Sequence, residues 1–291
     1  MAVGIETGVP LCRSTTIGTG GPAAAFARPR SVAELEEAIA WAIERGLELR
    51  TVGLGSNLLA ADAGVDALVL RLAGDLADVE VDGRLLRAGG GATNAVCLHR
   101  ARDAGLGGLE FACAIPGTAG GGVRMNAGAY GSDWSGILVR ALVVSAEGTG
   151  WLTPDELGLD YRHSHVRPDQ VVARLEYRLT PRPVAEIKAE VADLIARRKA
   201  TQPTNRRTFG SVFKNPPGEL GAGRILELCG LKGHAIGGAV VSPRHANFIE
   251  NAGGATSEDC LALMREARRR AREQFGVELE HEVVLLGSHE L

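Results

Sequence analysis

The chain has 291 residues, 45% of them hydrophobic and 23% charged, which is the make-up of a globular protein and excludes a disordered or collagen-like one. Lys and Arg number 32 against 35 Asp and Glu, and the resulting net charge of −3 argues against a nucleic-acid-coating protein, which needs a basic field. Glycine is the outlier at 39 residues, while aromatics make up only 4%, a balance that suggests backbone brought close to a ligand rather than an aromatic stacking surface.

The 5 cysteines are odd in number and contain no CxxC, as in a reduced cytosolic chain without a disulfide framework or zinc knuckle. The N-terminus lacks the basic and apolar regions of a signal peptide, and no run approaches the roughly 20 apolar residues of a membrane helix. The expectation is therefore a cytoplasmic protein with no membrane and no nucleic-acid partner.

Along the chain, Ser31 to Gly46 reads as a helix, with Ser31 as N-cap, Glu34 completing a capping box and Gly46 closing it. LELRTV, ending at Gly53, and Asp66 to Leu72 read as strands. Asp78–Val81 and Arg84–Ala88 flank Asp82-Gly83, a hairpin signal. Thr93 to Ala104 reads as a helix stopped by Gly105, and Ile137–Ala146 and Gln170–Leu179 read as strands. Pro181 and Pro183 mark a boundary. Beyond it stand an amphipathic helix over Val184–Lys199, strands at Ala235–Val241 and Asn247–Glu250, and a long helix from Thr256 to Gly276. A last strand is expected over Val277–Leu286. The mixed order of elements predicts an α+β fold.

Three glycine runs occupy the first half: Gly53-Leu-Gly-Ser-Asn-Leu-Leu59, Gly89-Gly-Gly91 and Gly117-Thr-Ala-Gly-Gly-Gly122. The first lacks the third glycine of a dinucleotide fingerprint, Leu58 standing there, and it leads into a loop and strand rather than a helix. No GxxxxGK[ST] is present. Any one run could be a plain tight turn. Several together suggest concave nests of N–H groups for a phosphate-bearing ligand.

The motifs GLGSNLL, IPGTAGG, MNAGAYG, YRHS, GSVFKNP, GLKG, HANFIEN and LEHEV occur in this order from about Thr16 to Gly287. As an ordered set they resemble the UDP-N-acetylenolpyruvoylglucosamine reductase family, in its shorter type. The resemblance implies a two-lobed FAD-binding domain of the vanillyl-alcohol-oxidase type plus a C-terminal α+β substrate domain. The lobes are placed at residues 1–72 and 73–182 and the substrate domain at 183–291. It implies non-covalent FAD, NADPH as co-substrate, and reduction of the enolpyruvyl group of UDP-N-acetylglucosamine enolpyruvate to give UDP-N-acetylmuramate in peptidoglycan precursor synthesis. No obligatory protein partner and no metal are implied.

By the same resemblance, Gly53, Gly55, Ser56, Asn57 and Leu58 form one pyrophosphate loop and Gly117, Thr118, Gly120 and Gly121 the other. Arg162 in YRHS clamps the substrate carboxylate, Ser211 in GSVFKNP gives a proton to C2, and Glu282 in LEHEV bears on the carboxylate side. Lys214, Asn215 and Tyr130 face substrate or NADPH, and Asn126 and His245 are further candidates. Taken singly, each catalytic position also fits a surface or turn residue, and Glu280 competes with Glu282. Two positions depart from the family pattern, Val284 after the last Glu-Val and Arg124 in the segment of the Gly117–Gly122 run. The remaining alternatives are a flavin oxidoreductase acting on another substrate and a protein that binds flavin and UDP-sugar without turnover. The Arg-rich run over residues 264–272 reads as a solvated helix face, because Glu266 and Glu273 are interspersed or adjacent.

Overall fold

The computed structural model describes residues 3–289. The chain divides into two compact units. One takes the residues up to Thr7, Ala25–Leu54 and Ala67–Arg197; the other takes Gly8–Ala24, Gly55–Asp66 and the chain from Arg198 onward. These units cut the chain differently from the three contiguous stretches expected from sequence, because the short segments 8–24 and 55–66 pack with distant residues rather than with their sequence neighbours.

The first unit holds two cores. In the first, helix Val32–Glu44 buries Leu35, Ala38, Ile39 and Ala42, one stripe at helical spacing. They pack with Leu49 of strand Glu48–Thr51 and with Leu68 and Leu70 of strand Val65–Leu70. These two strands pair in parallel, Leu49 opposite Leu68. Ser31 caps the helix by accepting from the Glu34 N–H, and Gly46 leaves it at φ 65°. The Glu34 carboxylate accepts from the Arg30 N–H at 2.8 Å. The expected return bond is thus shifted by one residue.

The second core lies on a five-stranded antiparallel sheet. Its strand order is Gly148–Leu152, Leu138–Ser145, Val171–Arg178, Leu85–Gly89 and Val79–Asp82. The Asp82-Gly83 signal is a hairpin as expected, with Asp82 paired to Leu85 and Gly83 at φ 59°. Helix Asn94–Asp103, capped by Thr93, buries Cys97, Leu98 and Ala101 into this core. At its centre the Trp134 indole N–H donates to the Tyr177 hydroxyl at 2.8 Å, and Phe111 meets Trp134 edge to face at 4.7 Å. The third glycine run was not expected to be helical, yet Ala119–Arg124 is a short helix capped by Thr118. Its local glycine content hid it, and contact with the buried sheet sustains it.

The second unit has one core. Strands Thr208–Ser211, Phe248–Asn251, Ala239–Val241 and Ala235–Ile236 form an antiparallel sheet. Helices Ala222–Leu228 and Ser257–Phe275 supply Ile225, Leu226, Leu261, Leu263 and Met264 to that core. The long helix begins with the full capping box of Thr256 and Asp259 and ends at Gly276 with φ 65°. The single strand expected over Ala235–Val241 is a hairpin. Gly237 sits at φ 54°, and a Cβ at Gly238 would lie 2.4 Å from the Ala255 nitrogen. On the long helix, Arg269 pairs with Glu266 and Glu273, and Arg265 with Glu258, as on a solvated face.

The last strand is shorter than expected. Only Val284–Leu286 is strand, pairing in parallel with Leu58–Ala60, a strand that the sequence reading missed. The five cysteines are free thiols, and burial pushes Cys97 and Cys260 up to about 12.

Candidate active site

In the first unit a cleft of about 190 Å3 lies where three glycine segments converge. Gly53 and Leu54 line it from the first run, Gly90 and Gly91 from the second, and Thr118, Gly120 and Gly121 from the third. The closeness of these backbones requires glycine. A Cβ at Gly90 would lie 1.9 Å from the Val172 carbonyl oxygen, one at Gly120 2.8 Å from the same atom, and one at Gly53 2.6 Å from the Thr118 hydroxyl. The Ala119 and Gly120 N–H groups are spent on the Ala92 and Gly90 carbonyls. Gly53 and Leu54, by contrast, donate their N–H groups to no protein acceptor among the described residues. Arg71, Arg124 and Gln170 complete the lining. A cradle of this kind, with unspent donors and two cations, suits a diphosphate. The residues present therefore fit the phosphate-bearing part of FAD. Gly90, Gly91, Arg71 and Gln170 were not among the expected cofactor residues; the Gly89–Gly91 run was the signal for the first two.

Gly55, Ser56, Asn57 and Leu58 belong to the second unit. Gly55, at φ 67°, passes so close to Ser14 that a Cβ would lie 2.0 Å from its carbonyl oxygen. Asn57 is spent on structure. Its side-chain amide donates to the Glu282 carbonyl at 3.1 Å, and its own carbonyl accepts from the Val284 N–H at 3.0 Å. Leu58 opens the short buried strand. Gly117, at φ 156°, lies outside the cleft lining, its carbonyl accepting from Asn94.

The same unit brings Ser211 and Glu282 onto neighbouring backbone. Glu282 donates its N–H to the Val212 carbonyl at 2.8 Å, and Lys214 donates to the Glu280 carbonyl at 2.9 Å. Ser211 ends its strand just after an irregularity between Thr208 and Ser211, where Gly210 stands at φ 81°. A bulge with a left-handed glycine re-aims the side chain that follows it. The buried Asn247 holds the next turn of chain. Its carbonyl oxygen accepts from the Phe213 N–H at 2.9 Å and its amide donates to the Phe213 carbonyl at 2.8 Å. Sequence reasoning did not single out Asn247, although it stands in the HANFIEN motif.

Glu280 is a solvent-side carboxylate, its side chain 71% exposed, and the Lys214 ammonium pairs with it at 2.6 Å. Asn215 caps a helix, its side-chain oxygen accepting from the Ala222 N–H at 3.0 Å. His245 accepts at Nδ1 from the Asn247 N–H and meets the Phe248 ring at 5.0 Å; burial holds its pKa below the ordinary histidine value.

In the first unit, Arg162 is the third residue of a tight turn closed by paired bonds between Asp160 and His163, and its φ is 53°. The guanidinium donates to the Gly128 carbonyl at 2.6 Å and lies over the Tyr161 ring at 5.1 Å. Asn126 and Tyr130 also have positive φ, 36° and 56°. The buried Asn126 side chain bridges the Asp160 carbonyl and the Ser135 N–H, and Tyr130 donates its hydroxyl to the Leu194 carbonyl. Three left-handed non-glycine residues in one neighbourhood are strain of the kind that accumulates at functional sites.

Comparison with known proteins accords with this geometry. Residues 23–151 match the model of an FAD binding domain, and residues 202–286 match that of the C-terminal domain of UDP-N-acetylenolpyruvoylglucosamine reductase. The fold and cleft are those of an FAD-dependent oxidoreductase with an appended C-terminal α+β domain. The UDP-N-acetylenolpyruvoylglucosamine reductase of Anaeromyxobacter dehalogenans (strain 2CP-C) is 46% identical over 278 residues, 96% of this chain and 84% of that one. A second reductase of that name, from Symbiobacterium thermophilum, is 44% identical over 97% of this chain and 92% of its own length. The crystal structure of the Thermus caldophilus reductase superposes with a TM-score of 0.86 at 37% identity, covering 98% of this chain and 99% of that one. The chain belongs to the UDP-N-acetylenolpyruvoylglucosamine reductase family.

Proposed function

We propose that the protein reduces the enolpyruvyl group of UDP-N-acetylglucosamine enolpyruvate to the lactyl ether of UDP-N-acetylmuramate, with NADPH as reductant. Membership of the reductase family supports this substrate. The pairing of the Ser211 segment with the Glu282 segment is the structural observation that carries it.

Bound FAD supplies hydride transfer, from NADPH to C3 of the enolpyruvyl group. The protein's own residues deal with charge and the proton. An enol ether becomes a hydride acceptor when its conjugated carboxylate is polarised, and the extra negative charge gathers on that carboxylate. Arg162, a planar fork of donors held by the Gly128 carbonyl, binds the carboxylate. Ser211, aimed by the bulge at Gly210, gives its proton to C2. Glu282 acts on the carboxylate side, and Asn57 and Val212 hold its backbone in place. Lys214, Asn215 and Tyr130 serve the nucleotide substrate or NADPH. No helix among the described residues is long and apolar enough to cross a membrane, and a cytoplasmic setting supplies both the NADPH and the nucleotide substrate.

The test is anaerobic. NADPH is added to the purified protein, then UDP-N-acetylglucosamine enolpyruvate, while flavin absorbance is followed. Bleaching by NADPH and recovery on adding the enolpyruvyl compound support the reading. Bleaching without recovery overturns the substrate assignment, and bound flavin that NADPH leaves coloured overturns the donor assignment.

A further inference from the structure

Arg124 is the unusual cation of the first unit. It is the last residue of the short helix Ala119–Arg124, and its carbonyl is held by the Ser164 hydroxyl. The half-buried Arg124 lines the cleft. Among the described residues it makes no hydrogen bond or ion pair. Its neighbours offset its charge only in part. The like charge of Arg50, itself paired with Glu48, repels it, and Asp169, which attracts it, is in a direct ion pair with Arg167 instead. Arg71, on the same cleft wall, likewise has no carboxylate partner among the described residues. Close by are the unspent N–H groups of Gly53 and Leu54 and the Thr51 hydroxyl, which is buried without a partner.

Two guanidiniums with no direct carboxylate partner among the described residues, and three unpartnered polar groups, on residues that line one cleft are costly in a protein that leaves them so. They call for a dianion with several acceptor oxygens. We infer that Arg124, with Arg71, forms the counter-charge for the FAD diphosphate, so that this chain binds its cofactor through salt-bridged phosphates and not through a glycine amide nest alone. The inference rests on the FAD reading and adds to it a cationic contact at the end of the third glycine segment. A guanidinium suits the task because its fork meets two phosphate oxygens at once. UDP-sugar and NADPH also carry diphosphates. The cleft is assigned to FAD because the glycine segments that form it lie largely within the stretch matching an FAD binding domain.

The experiment uses the holoprotein and the variants Arg124→Met and Arg124→Lys. FAD release on dilution is followed by the fluorescence of the freed flavin, at low and at high salt. Folding is checked by circular dichroism. Arg124→Met is expected to bind FAD roughly ten- to a hundredfold more weakly, as befits a lost charge-assisted contact, and to lose part of its salt sensitivity, Arg71 retaining the rest. Arg124→Lys should recover part of the affinity. Riboflavin, which has no phosphate, should bind wild type and Arg124→Met alike. Equal FAD retention by wild type and Arg124→Met at both salts would overturn the inference and leave the FAD reading standing. Unchanged FAD binding with a raised KM for the UDP-sugar or for NADPH would overturn it too, by moving the contact to a substrate. A wild-type protein that neither retains nor takes up FAD overturns the FAD reading itself. Should Arg124→Met fail to fold, wild type decides: salt must weaken FAD binding and leave riboflavin binding unaffected, and the opposite result sinks the inference.

Discussion

Asn57 and Glu282, 225 residues apart in the chain, are joined by a hydrogen bond from the Asn57 side-chain amide to the Glu282 carbonyl. Two residues on, the Val284 N–H returns a bond to the Asn57 carbonyl. An early glycine-rich loop thus sets the position of a carboxylate near the end of the chain. Asn57→Ala should lower stability by about 0.5–1.5 kcal/mol. It should also reduce turnover without removing FAD. A thermal melt, with kcat measured on the same preparation, checks this; loss of bound flavin with normal turnover per flavin would contradict it.

Ser211→Ala should separate the two half-reactions. Bleaching of the flavin by NADPH is expected to proceed at the wild-type rate. Reduction of the enolpyruvyl substrate should slow by about 10²- to 10⁴-fold, the usual contribution of a positioned proton donor. Stopped-flow absorbance follows both phases, and an unchanged second phase would remove Ser211 from the mechanism.

Gly210 tests the bulge. At φ 81°, an alanine there is strained, and its Cβ would lie 3.2 Å from the Ser56 carbonyl oxygen. Gly210→Ala should cost about 1–2 kcal/mol of stability. It should slow the second half-reaction more than the first, because the Ser211 hydroxyl loses its aim. Equal slowing of both phases would show that the bulge serves the fold alone.

Tyr177 is fully buried, and burial pushes its phenol well above the ordinary tyrosine value, so it stays a neutral acceptor for the Trp134 N–H. Tyr177→Phe leaves that N–H buried and unpaired. The expected loss is about 1–3 kcal/mol, read as a lower melting temperature with unchanged FAD content.

Glu266 carries the clearest acid-side linkage. Hydrogen bonds from Arg269 and Arg270 hold its carboxyl down to about 2, against 4.5 for the ordinary group. A depressed folded-state pKa stabilises the protein above the unfolded value, and that stability is lost as pH falls from about 4.5 towards 2. Glu266→Gln should therefore be less stable than wild type at neutral pH, with the gap closing through that window. Melting temperatures of the two proteins across the acid range give the answer; a gap that persists at the lowest pH would assign the effect to packing.

The sequence by itself determined the elements whose signals are local. Ser31, Thr93 and Thr256 cap helices where expected, because a short side-chain oxygen satisfies N–H groups within its own first turn. Asp82-Gly83 turns a hairpin, since glycine takes positive φ without a Cβ clash. The ordered motifs also pointed to the family. Tertiary structure alone decided the features that depend on distant partners. The final strand shrinks to Val284–Leu286 because only there does a parallel neighbour, Leu58–Ala60, supply ladder bonds. Asn215 and Asn57, polar and motif-borne, spend bonds on a helix start and on a remote carbonyl. Arg124 stands out in the sequence only as a departure from the family pattern. Only the convergence of three glycine segments shows that it lines a cleft whose walls include no carboxylate. Local chemistry is written in neighbouring residues, whereas burial and counter-charge are set by residues brought together from far along the chain.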